Sequence, residues 1–146
     1  MNYLLDTCVL SELIKKKPDQ QAVGWISAID ESKLFISVLT IGELHKGIAK
    51  LPPGKKREQL LQWVNEDLQE RFSGRMIAFD LQAATEWGKM QAKAEAVGRA
   101  LPVIDGMIAA TALAHHLAVA TRNISDMESS GAVLINPWQK DFEAKN

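Results

Sequence analysis

The chain has almost no cysteine. Its single thiol, Cys8, excludes an internal disulfide and fits a reducing compartment. An excess of charge of either sign is missing too. Seventeen Lys and Arg stand against 18 Asp and Glu, a formal net charge of −1. No global field therefore advertises a polyanionic partner, and any contact with nucleic acid must come from a local basic patch. No apolar run approaches the roughly 20 residues that span a bilayer. Met1 is not followed by a basic segment and an apolar core, so no signal peptide is expected. Zinc-type His or Cys spacing is absent as well, since the adjacent His115 and His116 point to different sides of a helix and read as partly exposed surface. No repeat, low-complexity tract or linker is visible. What is present is an ordinary globular composition, 47% apolar and 24% charged over 146 residues. The expectation is one cytoplasmic domain, residues 1–146, with no membrane contact.

Short β-like runs alternate with longer helical patterns. The expected strands are Tyr3–Leu5, Leu34–Ser37, Met76–Phe79, Ala118–Thr121 and Val133–Ile135. Three apolar stripes lie between them at helical spacing. The first is Ile41, Leu44, Ile48 and Leu51, ended by Pro52-Pro53-Gly54. The second is Leu61, Val64, Leu68 and Phe72, closed by Gly74. The third is Trp87, Met90, Ala94 and Val97. Helix-length connections between short apolar strands imply a central, mainly parallel sheet of about five strands in a three-layer α/β/α fold.

Functional groups in such sheets gather beyond the carboxyl ends of the strands. Four acids have that address. Asp6 ends the first strand, Glu43 lies early in the helix after the second, Asp105 opens a helix in PVIDGMIAATALAHH, and Asp126 follows the fourth strand. Taken singly, Asp6 and Asp105 read equally well as helix-start residues. Glu43 reads as a partner of Lys46 or Lys50, and Asp126 as a loop residue. Together they pose a problem. Two carboxylates about 4 Å apart repel by roughly 4 kcal/mol at an effective dielectric of 20. Protonation or a hard divalent cation, Mg²⁺ or Mn²⁺, would relieve that repulsion. Gly42 and Gly106 flank two of the acids inside helices, where glycine costs about 1 kcal/mol, which suggests close backbone approach. Lys46 to Arg57, in KGIAKLPPGKKR, holds five basic residues and no acid. Lys46 and Lys50 share a helix face with Glu43 and are candidates to guide an anionic substrate. Arg99 and Arg122 are further phosphate-contact candidates.

The segments LLDTCVLSEL, SVLTIGEL, VIDGMIAATALAHHLAVATRN and VLINPW, in that order, resemble the PIN-domain endoribonucleases, in particular the VapC-type toxins of bacterial toxin–antitoxin pairs. The resemblance runs from Asn2 to Trp138. It implies a PIN-like fold and metal-dependent RNA cleavage by activated water, leaving a 3′-hydroxyl and a 5′-phosphate. Asp6, Glu43, Asp105 and Asp126 fall on the family's Mg²⁺- or Mn²⁺-holding positions, which are also its catalytic positions. Asp6 and Asp105 are expected as direct ligands. Glu43 either binds metal or orients the water, and Asp126 acts through a water or a second metal. Thr7 and Thr121 match positions where a hydroxyl supports the site, and Asn123 stands where some relatives carry Asp. Cys8 replaces a frequent Asn, and Met127 a frequent aromatic. Transfer RNA is the suggested substrate, with ribosomal and messenger RNA left open.

The implied partners are a cognate VapB-like antitoxin, a second copy of the chain in a homodimer, and promoter DNA reached only through the antitoxin in a hetero-oligomer. Leu13, Ile14 and Trp25 are groove candidates for that partner, with core burial as the alternative. Three other functions fit parts of the pattern: a receiver domain that accepts phosphate on Asp, a catalytically silent PIN-like binding module, and a DNA flap nuclease. The receiver usually has an adjacent acidic pair after its first strand. The flap nuclease needs clamping helices that this chain lacks.

Overall fold

Leu4 and Leu5 are adjacent, fully buried, and packed into different apolar clusters. This is pleat alternation in a strand covered on both faces. Val119 and its neighbours Ala118 and Ala120 divide between the same two clusters. The computed structural model describes residues 1–139, so the expected domain end at residue 146 lies outside the described residues.

The five strands are β1 (Tyr3–Leu5), β2 (Leu34–Ser37), β3 (Met76–Ile77), β4 (Ala118–Ala120) and β5 (Leu134–Ile135). They form one sheet in the order β3-β2-β1-β4-β5, and every pairing is parallel. The helices are α1 (Thr7–Leu13), α2 (Gln20–Ala28), α3 (Val38–Ala49), α4 (Lys55–Gln62), a π-helical segment (Trp63–Leu68), α5 (Gln69–Arg71), α6 (Leu81–Ala96), α7 (Val103–Ala114) and α8 (Ile124–Met127). One face of the sheet is covered by Val9, Leu10, Trp25, Ile26, Leu44 and Ile48 with the π-helical segment. The other is covered by α6, α7 and Met127. The expected three-layer α/β/α architecture is present. Among the described residues no helix is long and apolar enough to cross a membrane.

The strand order decides where a site can form. From β1 the chain builds outward through β2 to β3, then returns to the other side for β4 and β5. The direction reverses between β1 and β4, and crevices at such switch points open beyond the carboxyl ends of the strands. Leu5 pairs with Ala120 there, so Asp6 and Thr121 leave the sheet side by side. The same order excludes the receiver alternative, whose doubly wound sheet runs 2-1-3-4-5.

Several boundaries differ from expectation. β3 stops at Ile77 rather than Phe79, β4 at Ala120 rather than Thr121, and β5 starts at Leu134 rather than Val133. The Leu61 stripe is helical, with Val64, Leu68 and Phe72 buried, but a π-helical turn interrupts it. Gly74, at φ +79°, ends that run as expected. Val97 does not continue the Trp87 stripe: it caps α6, is 68% exposed, and precedes Gly98 at φ +71°, which turns the chain away.

Candidate functional site

Asp6 is 2% exposed and both of its oxygens are engaged. Its backbone N–H donates to Ala120 O at 2.9 Å, carrying the β1–β4 ladder one residue past the strand. Oδ1 accepts from the Thr7 N–H at 2.8 Å, so the capping reading holds. Oδ2 accepts from Thr121 Oγ1, also at 2.8 Å, across 115 residues of sequence. Thr121 is itself fully buried and accepts the Asn123 N–H at 2.9 Å. Burial nevertheless outweighs these hydrogen bonds and holds the Asp6 carboxyl above its ordinary pKa.

Thr7 links the next acid to the same place. Its hydroxyl donates to Glu43 Oε1 at 2.6 Å, joining α1 to α3. Asp105 sits in the first turn of α7 and is partly buried. Its pKa is pushed up to about 6, first by burial and then by the charges of Asp6, Asp126 and Glu43. Asp126, on α8, is exposed, and its charge reaches Asp105. Four acids from four separate segments thus act on one region.

Among the described residues no group of three or more His, Cys, Asp or Glu side chains is placed to hold a metal ion. The donor chemistry still suits a hard divalent cation, because every candidate ligand is a carboxylate or hydroxyl oxygen. Mg²⁺ commonly takes one or two carboxylates and completes its shell with water and substrate phosphate. An open arrangement of this kind fits that habit better than a closed cage.

Other expected contributors fall less uniformly. Asn123 supports the site through its backbone N–H, and its side chain does not cap α8. A Cβ at Gly106 would lie 3.4 Å from Trp87 Nε1, a buried N–H with no partner, and 3.5 Å from Leu101 Cβ, which is ordinary van der Waals contact. One at Gly42 would meet nothing within 4 Å, so the expected close backbone approach is present at neither glycine. Lys46 and Lys50 are exposed. A cleft of about 370 Å³ beside the acids is lined instead by Thr7, Glu43, Gly47 and Lys56 on its polar side, with Ile14 and Trp63 among the apolar residues. Of the groove candidates, Trp25 is buried against Tyr3, while Ile14 is 40% exposed. Arg99 Nη2 lies 3.7 Å from Glu128 Oε2. Arg122 lies over the Trp138 ring.

Two further residues stand beside these acids, Cys8 and Thr40. Cys8 Sγ lies 3.8 Å from Asp6 Oδ2 and 3.7 Å from Thr121 Oγ1, and accepts the Arg122 N–H at 3.5 Å. Burial and the nearby Asp6 charge push this thiol's pKa up. It is therefore a packing and hydrogen-bonding group rather than a ready nucleophile. Thr40, fully buried one turn before Glu43, leaves its hydroxyl without a partner.

Comparison with known proteins agrees with this geometry. The PIN domain family matches residues 3–125. The chain is 39% identical over 136 residues to the VapC ribonuclease Y4jK of Sinorhizobium fredii, covering 93% of this chain and 97% of that protein. It is 33% identical over 135 residues to Toxin FitB of Neisseria gonorrhoeae, covering 92% and 97%. The structure of FitAB bound to an IR36 DNA fragment superposes with a TM-score of 0.88 at 31% identity, covering 94% of this chain and 96% of that one. A match of that extent, in sequence and in topology, shows that this chain belongs to the PIN-domain family and is closely related to the VapC and FitB toxins of type II toxin–antitoxin systems.

Proposed function

We propose that this chain, residues 1–146 as one domain, is the toxin of a toxin–antitoxin pair and a Mg²⁺- or Mn²⁺-dependent endoribonuclease of the cytoplasm. The observation that carries the reading is the convergence of acids: Thr7 hydrogen-bonds both Asp6 and Glu43, and burial, then the charges of Asp6, Asp126 and Glu43, oppose the ionisation of Asp105. A bound divalent cation would supply two things there: a lowered pKa for water, and charge neutralisation on the phosphoryl group.

The protein groups have separable tasks. Asp6 and Asp105 are the direct ligands. Asp6 is pre-aimed because Thr7 N–H and Thr121 Oγ1 hold its two oxygens, leaving further lone pairs for a cation. Glu43 is held at Oε1 by Thr7, so Oε2 remains to bind the cation or accept a proton from water. Asp126, which is exposed, would meet the cation through water or hold a second one. Lys46, Lys50, Arg99 and Arg122 contact the RNA backbone. Relatives named as a ribonuclease and as a DNA-bound FitAB complex support RNA as the substrate and an antitoxin as the partner. We extend this to a homodimer within a toxin–antitoxin hetero-oligomer that meets DNA only through the antitoxin, with transfer RNA as the substrate class.

The test is end-mapped cleavage of total RNA with Mg²⁺ or Mn²⁺, comparing wild type with Asp6→Ala. Cleavage confined to wild type, leaving 5′-phosphate ends, is expected. Equal cutting by both proteins sinks the assignment of Asp6. No cutting, together with no divalent uptake in titration calorimetry, would make the chain a silent PIN-like binding module.

A further inference from the structure

Arg122 leaves the sheet directly after Thr121, the residue whose hydroxyl holds Asp6. Its own backbone N–H is donated to the Cys8 sulfur at 3.5 Å. The root of the side chain is therefore fixed to the rim of the acidic site. Its far end is fixed as well, because the guanidinium carbon lies 4.7 Å from the centroid of the Trp138 ring. That ring belongs to a short turn with its own support. Asn136, 8% exposed, accepts the Trp138 N–H on Oδ1 at 2.9 Å, Pro137 is buried, and the indole packs against the core cluster of α1 and α2.

The two arginines beside the site are not equivalent. Arg99 has a carboxylate partner in Glu128, whereas among the described residues no carboxylate lies within ion-pair distance of Arg122, and its charge reaches Glu12 only at longer range, behind the Lys15 contact. An aromatic face attracts the guanidinium without using its N–H donors, which stay available at its edge. Those donors match the fork geometry of a phosphate. A polyanion approaching four carboxylates meets repulsion, and a cation at the rim offsets it. Holding that cation over a ring before substrate arrives reduces the ordering still to be done on binding.

We propose that Arg122 is a clamp for an RNA backbone phosphate next to the one at the acidic site, and that Trp138 is the positioning residue that holds it. This inference rests on the ribonuclease reading and names a substrate contact within it.

The test is binding of a labelled RNA oligonucleotide over a range of salt concentrations, with Asp6→Asn in every protein to keep the RNA intact. Arg122→Ala is expected to weaken binding about tenfold and to flatten the log–log salt dependence by about 0.7, the share of one single-strand phosphate contact. Trp138→Ala should do the same, Trp138→Phe should restore both, and the double variant should be no worse than Arg122→Ala alone. In cleavage assays with Asp6 intact, the effect should fall on KM more than on kcat. An unchanged salt slope in Arg122→Ala, or additive losses in the double variant, overturns the clamp. Should Trp138→Ala fail to fold, Trp138→Phe and Arg122→Ala still decide the matter. Wild type that binds RNA with this slope but never cuts it overturns the nuclease reading alone. Protein that neither binds nor cuts RNA overturns both.

Discussion

Asp6 has two side-chain oxygens, which serve the start of α1 and the Thr121 hydroxyl and, in the proposed function, would also serve a cation. Its capping bond and its functional orientation turn out to be one arrangement, because the N–H it caps belongs to Thr7, which also holds Glu43. Thr121 is the second anchor and has no spare role, donating to Asp6 and accepting from Asn123. Thr121→Val keeps the shape and removes both bonds. It should cost about 10–100-fold in divalent affinity or cleavage rate, as loss of groups that orient metal ligands commonly does. Calorimetric Mg²⁺ titration beside cleavage kinetics would check this, and wild-type affinity would show that Asp6 is oriented by Thr7 alone. The four acids could be singled out in the sequence because Asp6 ends a strand, Asp105 opens a helix, and Glu43 and Asp126 lie early in helices that follow strands. The Asp6–Thr121 bond could not, since it depends on β1 and β4 being neighbours, a fact about sheet order. Trp138 ends the VLINPW segment that carries the resemblance, but its place beside Arg122 was not legible, because only the fold brings the two together.

At the scale of elements, one of the two shortest strands is pinned by an arginine beside it. β3 has two residues and a neighbour on one side only. Arg75, just before it, donates from Nη1 to the carbonyls of Glu31 and Leu34, both at 2.6 Å. It also pairs through Nη2 with Glu31 Oε2 at 3.0 Å and lies over Phe72, 5.0 Å from the ring centroid. Arg75→Ala should therefore destabilise the fold by about 2 kcal/mol, chiefly through two carbonyls left without a charged donor. Glu31→Gln should cost less than about 1 kcal/mol, because that carboxylate is half in solvent. Denaturant midpoints would measure both, and equal effects would shift the weight to the ion pair. Apolar stripes revealed α3, the π-helical segment and α6, since Leu44, Ile48, Val64, Leu68, Met90 and Ala94 all point inward. Periodicity failed at ends and irregularities. It could not see Gly98 turning the chain after Ala96, nor the π-helical turn, because both are decided by backbone conformation rather than by which residues are apolar.

Across the whole molecule, the acidic site sets function against stability, and pH separates the two. Glu12, Glu31 and Asp80 are held below their ordinary pKa by hydrogen bonds from their partners, so they stabilise the fold above about pH 4 and lose that effect in acid. Asp105 works in the opposite direction. Its folded pKa is about 6 against an ordinary 3.8, so the native state binds its proton more tightly than the unfolded chain does. That contribution is fully present below about pH 4 and is lost as pH rises through 6, and Asp6, also shifted upward, adds to it. Metal-free protein should consequently be less stable at pH 7.5 than at pH 5, by an amount on the order of 1 kcal/mol once partial solvation of Asp105 is discounted. Asp105→Asn should remove most of this slope and raise the melting temperature at pH 7.5. Millimolar Mg²⁺ should raise it in wild type but little in the variant, because a cation that binds only the folded state stabilises by mass action. Thermal melts at the two pH values, with and without Mg²⁺, separate these cases. If wild type melts at the same temperature in all four conditions, the carboxylates do not share one field, and the proposed cation has nothing to neutralise.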